Sequence, residues 1–225
     1  MRVQLTINED GTVDLYSTDQ NTFSKKRVML SDVAELFQAA LEASADKEEE
    51  WLISPTLPPN TLCYKESKSG SVQIAFSWGP DILQFEYENT LFSAIPFPRL
   101  IFCMHGEKIG QEIRFQRIAL VAIKETGVIT DDTPVYRYPF SHVGYNTHMC
   151  FGANELPRVK KLTDLKDFPR NILTTPNGTH HYSELTNMTG KPLREVLQLL
   201  NNKKKFPVEW LRPLDCTFRK WIESI

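Results

Sequence analysis

The side chain in this sequence best suited to covalent chemistry is Cys150, set in Met149-Cys150-Phe151-Gly152 and preceded by Ser141-His142-Val143. The thiolate is the nucleophile, so a reactive cysteine needs a nearby cation or aligned backbone N–H groups, and access to a partner. His142 and His148 lie close enough in sequence to supply a partly cationic setting. His180 and His181 follow the turn sequence Pro176-Asn177-Gly178. They are either part of a surface loop or a pair folded back over Cys150, tuning the thiol or deprotonating an incoming amine. The alternative for Cys150 itself is a core thiol, because free cysteine is among the most buried residue types. His142, His148, Cys150 and His180 are permissible zinc ligands, but their spacings match no standard structural motif. Neither a metal nor a cofactor is expected. Asp131, Asp132, Asp164 and Asp167 could position an amine; otherwise they are solvated turn acids.

The elements around these residues follow from periodicity. Val3, Leu5 and Ile7 alternate, Asn8-Glu9-Asp10-Gly11 carries turn chemistry, and Val13 and Leu15 resume the alternation, which predicts a hairpin. Ser31 as cap, with Val33, Leu36, Phe37, Ala40 and Leu41 at helical spacing, predicts a helix fraying into Ala45–Glu50. Pro55, Pro58 and Pro59 then forbid regular structure, so residues 51–60 read as a linker between an N-terminal hairpin-plus-helix extension (1–50) and a main domain (61–225).

From 61 to 138 the pattern is β. Val72, Ile74, Phe76 and Trp78 alternate, as do Leu83, Phe85 and Tyr87, and then Leu100, Phe102 and Met104. Ile118–Ile123 is continuously apolar, as in a central strand buried on both faces. The short connections demand an antiparallel meander of about four strands, with helices on one face. The fold class expected is therefore α+β. Leu193, Val196, Leu197 and Leu200 form the stripe of a helix that should pack on that sheet, with Lys203-Lys204-Lys205 in water at its end. Phe218, Trp221 and Ile222 suggest a last helix packed on the body.

Composition narrows the function. The 225 residues are 41% hydrophobic and 24% charged with a formal net charge of −2, so no global basic field would hold a nucleic-acid backbone. The N-terminus reads as a strand and not a signal peptide, and no apolar run approaches the roughly 18 residues of a membrane span. The four cysteines, Cys63, Cys103, Cys150 and Cys216, form no Cys-x-x-Cys pair. A cytoplasmic location with reduced thiols is the expectation, and the Asn-x-Thr triplets at Asn177 and Asn187 are then chance matches.

The stretch from Thr133-Pro134-Val135-Tyr136-Arg137-Tyr138-Pro139-Phe140 through His142-Val143 to Met149-Cys150-Phe151-Gly152 resembles ubiquitin-conjugating enzymes. In those, a His-Pro-Asn-Val turn precedes the catalytic cysteine, which lies seven residues after the valine; Val143 and Cys150 keep that spacing. More closely it is similar to a prokaryotic family D of such proteins, which includes protein B of plasmid-borne PRTRC systems. Members show Thr-Pro-Leu-Tyr-Arg-x-Pro-Tyr-x-Asn-Val, then Val-Cys-Leu-Gly, then a Phe-Thr-His element that the stretch from Ile172 to His181 would match.

The resemblance implies that a ThiF-like activating enzyme passes a ubiquitin-like protein to Cys150 as a thioester, for transfer to an amine. His142, His180 and His181 would assist, and a metal-dependent isopeptidase would act as reversing partner. The setting would be plasmid maintenance or an anti-phage defence operon. His142 stands where those enzymes carry an oxyanion-binding Asn, and Asn146-Thr147 replaces a turn glycine. The competing readings are a catalytically silent module that binds a ubiquitin-like protein and a plasmid-maintenance structural protein.

Overall fold

Residues 2–19, 22–44, 54–124, 127–152 and 155–225 are described in a computed structural model. The chain divides into two units, Met1–Ser54 and Pro55–Ile225. In the first, β1 (Arg2–Ile7), β2 (Thr12–Asp19) and β3 (Thr22–Met29) form an antiparallel sheet in that order, one strand more than the expected hairpin. Asp14 is buried and accepts from Arg27 Nε at 2.7 Å and Lys25 Nζ at 3.1 Å. The Arg27 guanidinium above all holds its carboxyl well below the usual range. Helix α1 (Leu30–Ser44) begins one residue before the expected cap. Val33 is buried while Leu36 and Phe37 are exposed. The expected fraying over Ala45–Glu50 lies outside the described residues.

The second unit starts with β4 (Thr61–Glu66), β5 (Ser71–Trp78), β6 (Asp81–Tyr87), β7 (Thr90–Phe97), β8 (Arg99–Ile109) and β9 (Glu112–Ile123). It continues with β10 (Pro134–Arg137), β11 (Arg158–Val159), α2 (Phe168–Leu173), α3 (Leu193–Leu200), β12 (Pro213–Thr217) and α4 (Phe218–Ser224). The fold is mixed α+β, and the main sheet runs β12-β10-β9-β8-β5-β4, with β11 also on β9. All its strand pairings are antiparallel.

It differs from the expected meander of about four strands in two ways. First, β6 and β7 leave the sheet as a separate hairpin, so β5 pairs directly with β8. The chain departs at Gly79-Pro80 and returns at Pro98, and proline has no N–H to give a ladder. Second, β11 and β12 arrive from distant sequence to complete the edge.

The central run Ile118–Ile123 in β9 is fully buried, as its unbroken apolar character predicts. Even-numbered side chains Ile74, Phe76, Leu100, Phe102, Met104, Ile118 and Leu120 face one core. That core also takes in the β6–β7 hairpin and the apolar stripe Leu193, Val196, Leu197 and Leu200 of α3, which lies nearest β7. Ala75, Ile101, Cys103, Ala119 and Val121 face a second core closed by Phe218, Trp221 and Ile222 of α4. Helices thus cover both faces, not one: a sheet apolar on both sides must be covered on both. Gly106 is obligatory at the β8 bulge, since a Cβ there would stand 2.4 Å from the Arg114 carbonyl oxygen. No helix among the described residues is long and apolar enough to cross a membrane.

Candidate functional site

Beyond β10 the chain is anchored by aromatics. Phe140 is fully buried, with ring centroids 5.0 Å from Phe97 and 5.3 Å from Phe85, and Tyr138 and Phe206 pack edge-on against it. Asn187 is buried and donates to the Pro139 carbonyl at 3.1 Å, pinning the same loop from the far side. Past Val143 a turn closes through Thr147 N–H to Gly144 O at 2.9 Å. The chain then runs briefly beside β9, where Leu120 N–H donates to Thr147 O and Met149 N–H to Ile118 O, both at 2.9 Å. The left-handed residue of this turn is Thr147 (φ 66°), not Asn146. A β-branched residue resists that region; here Thr147 is buried, and its hydroxyl accepts from Trp221 Nε1 of α4 at 2.9 Å.

Three segments are then laced through their backbones. Cys150 N–H donates to His142 O at 2.7 Å, and His142 N–H donates to His180 O at 2.7 Å. Gly178 N–H donates to His142 Nε2 at 3.2 Å. This lacing brings Ser141, His142, Met149, Cys150, Phe151 and His180 around a cleft of about 430 Å³, which Tyr138, Ile172 and Asn177 also line. The Cys150 sulfur and one ring nitrogen each of His180 and His181 lie within 4.8 Å of one another. Cys150 is half-buried and both histidines are exposed. His181 is held at φ 60°, and its ring centroid is 4.0 Å from that of His180.

His142 is in a different state. Burial first, and then the neighbouring His180 and His181, push its pKa below the ordinary imidazole value, while the Cys150 backbone works the other way. A neutral ring that accepts at Nε2 carries its proton on Nδ1. Nε2 is therefore not the donor that a developing oxyanion would need.

The structure brings Cys150, His142, His180 and His181 together. It leaves His148 out of the cleft: that residue bridges to Ala119, and its Nδ1 is buried without a hydrogen-bond partner. Asp131, Asp132, Asp164 and Asp167 do not line the cleft. Asn177 does, a residue that sequence reading weighed as a turn residue and a glycan triplet but not as part of the site. It receives Ser141 Oγ at 3.4 Å and donates to the Thr175 carbonyl at 2.6 Å.

The other cysteines lie apart from this site. Cys103 is fully buried in β8, while Cys63 and Cys216 are partly exposed in β4 and β12. The chemistry available is that of a half-buried thiol with two exposed imidazoles, His180 in the cleft lining and His181 beside it. Among the described residues, no lysine, arginine or carboxylate lines the cleft.

Comparison with curated proteins and with solved structures finds no match. The family model described as prokaryotic E2 family D matches residues 33–214, a span that includes every strand of the main sheet except the last residues of β12, and all of the cleft. With the cysteine, its spacing from Val143 and the antiparallel sheet beside them, the chain belongs to prokaryotic E2 family D, a family of ubiquitin-conjugating-enzyme-like proteins.

Proposed function

We propose that this chain accepts a ubiquitin-like protein as a thioester on Cys150 from a ThiF-like activating enzyme and passes it to an amine. The observation that carries the reading is the sulfur of the half-buried Cys150 at the cleft, with one ring nitrogen each of the exposed His180 and His181 within 4.8 Å. In loading, an imidazole takes the thiol proton and the thiolate attacks the modifier's carbonyl carbon. The new C–S bond forms as the activating enzyme's own cysteine leaves as a thiolate. In transfer, an amine attacks the same carbon, its proton passes to His180 or His181, and Cys150 departs as a thiolate. His142 braces the Gly178 turn and the Cys150 backbone, which makes it a positioning residue. A metal-dependent isopeptidase would reverse the resulting amide bond.

A second reading, a silent module that binds a ubiquitin-like protein without accepting it, is favoured by one observation. His142 Nε2 accepts a hydrogen bond where conjugating enzymes carry an amide donor. Incubation with cognate activating enzyme, ubiquitin-like protein and ATP separates the two. An adduct that a thiol reductant removes supports transfer. Its absence, despite demonstrated activation of the modifier, supports the silent module.

A further inference from the structure

We propose that Cys150, His180 and His181 form a binding site for a thiophilic divalent cation, zinc by its preference for this donor set, and that the ion reversibly occludes the thiol. The three donor atoms already lie within 4.8 Å of one another. In a tetrahedral zinc site, with Zn–S about 2.3 Å and Zn–N about 2.0–2.1 Å, neighbouring donors stand roughly 3.3–3.6 Å apart. The group must therefore close by at most about 1.5 Å, a movement within reach of side-chain rotation in exposed histidines. A thiolate with two imidazoles selects zinc, cobalt or copper over magnesium and calcium, which want oxygen ligands.

The backbone pre-assembles the site. His142 N–H holds the His180 carbonyl and His142 O holds Cys150 N–H, both at 2.7 Å, so the two chain segments bearing the ligands are tied through one residue. His142 is itself kept out of the set, because its Nε2 is engaged by Gly178 N–H at 3.2 Å. That leaves three protein ligands and an open fourth position. The exposure of His180 and His181 gives the ion a path in.

Binding converts Cys150–SH to a metal-bound thiolate and releases one proton to solvent, with no change of oxidation state. The ion and an acyl group then compete for one sulfur lone pair. Binding of the ion does not depend on the transfer reading; only its consequence for loading does.

The test uses the full-length, reduced protein and cobalt(II) as the probe. The expected result is one equivalent of cobalt bound, with a thiolate-to-cobalt charge-transfer band that zinc abolishes by displacement. Cys150→Ser should lose that band, while Cys63→Ser and Cys103→Ser keep it. His180→Ala and His181→Asn should each weaken binding by about tenfold or more. Asparagine is chosen at His181 because it tolerates the left-handed backbone. Independently of any variant's folding, zinc should protect Cys150 of the unaltered protein from iodoacetamide, read by peptide mass. No charge-transfer band, a band that survives in Cys150→Ser, cobalt affinity unchanged in both histidine variants, or absence of protection would each overturn the site.

Discussion

Cys103 and Cys150 each have an imidazole beside the sulfur, yet their surroundings assign them opposite chemistry. Cys103 sits in the middle of β8 with 0% exposure, its sulfur 3.6 Å from His105 Nε2 and 3.5 Å from Gln73 Nε2. Burial pushes its pKa up to about 12, with the Gln73 hydrogen bond opposing. Cys150 sits beyond the end of β10, half-buried, with two exposed imidazoles near it. A histidine neighbour alone does not make a thiol reactive; access and the solvation of the charged form decide.

The sharpest way to break this contrast is thioester formation. Cys150→Ser should lose the reductant-sensitive adduct entirely or trap a reductant-resistant ester, while Cys63→Ser, Cys103→Ser and Cys216→Ser retain it. An adduct that persists in Cys150→Ala and vanishes in Cys103→Ser would reverse the assignment. Alkylation of the native protein measures the same contrast without any partner. Cys150 should react at least about a thousandfold faster than Cys103, whose modification waits on opening of the central sheet. Comparable rates, by peptide mass, would show that the sheet does not shield Cys103.

The loop carrying the site depends on the core beneath it. Phe140→Ala removes a fully buried ring packed on four other aromatics. It should cost about 3–5 kcal/mol in denaturant unfolding and raise Cys150 exposure to iodoacetamide. A loss near zero would mean that the loop is held by its backbone lacing alone.

The pH dependence of stability should fall on the buried cysteine. The folded protein holds the Cys103 proton up to about pH 12, whereas the unfolded chain releases it near the ordinary thiol value of 9.0. Between those values the unfolded state binds fewer protons, so stability falls as pH rises. Below that window the contribution is fully present. Cys103→Ala should flatten this alkaline limb, by up to a few kcal/mol. An unchanged limb would place the alkaline titration elsewhere.

The smallest expected effect is at His142. His142→Ala should slow loading and transfer alike, each by about tenfold, because the residue positions both segments of the site. His142→Asn, which tolerates φ 68°, separates loss of the ring from backbone strain. A loss confined to transfer, with loading intact, would show that His142 acts on the acyl group itself and not through position.

What the sequence determined was local. Cys150 in its apolar setting, the alternation of β5 and β8, the unbroken apolar run of β9 and the leucine stripe of α3 were all legible, because period and side-chain type are local quantities. The family could be read from Thr133–Val143 and Met149–Gly152 for the same reason. Tertiary structure alone decided the rest. Leu83, Phe85 and Tyr87 alternate as well as β5 does, but alternation cannot say which sheet a strand joins, and β6 pairs with β7 outside the main ladder. Cys103 falls in an alternating strand and Cys150 in a turn context, but how deeply each is buried depends on what packs above it. The choice of His180 and His181 over His148 as companions of Cys150 reversed sequence proximity. A two-residue step along an extended segment carries His148 toward Ala119, while hydrogen bonds from His142 reach across some forty positions to bring residues 178–181 to the sulfur. Such long-range closure depends on the packed core holding both segments in place, and no spacing in the chain encodes it.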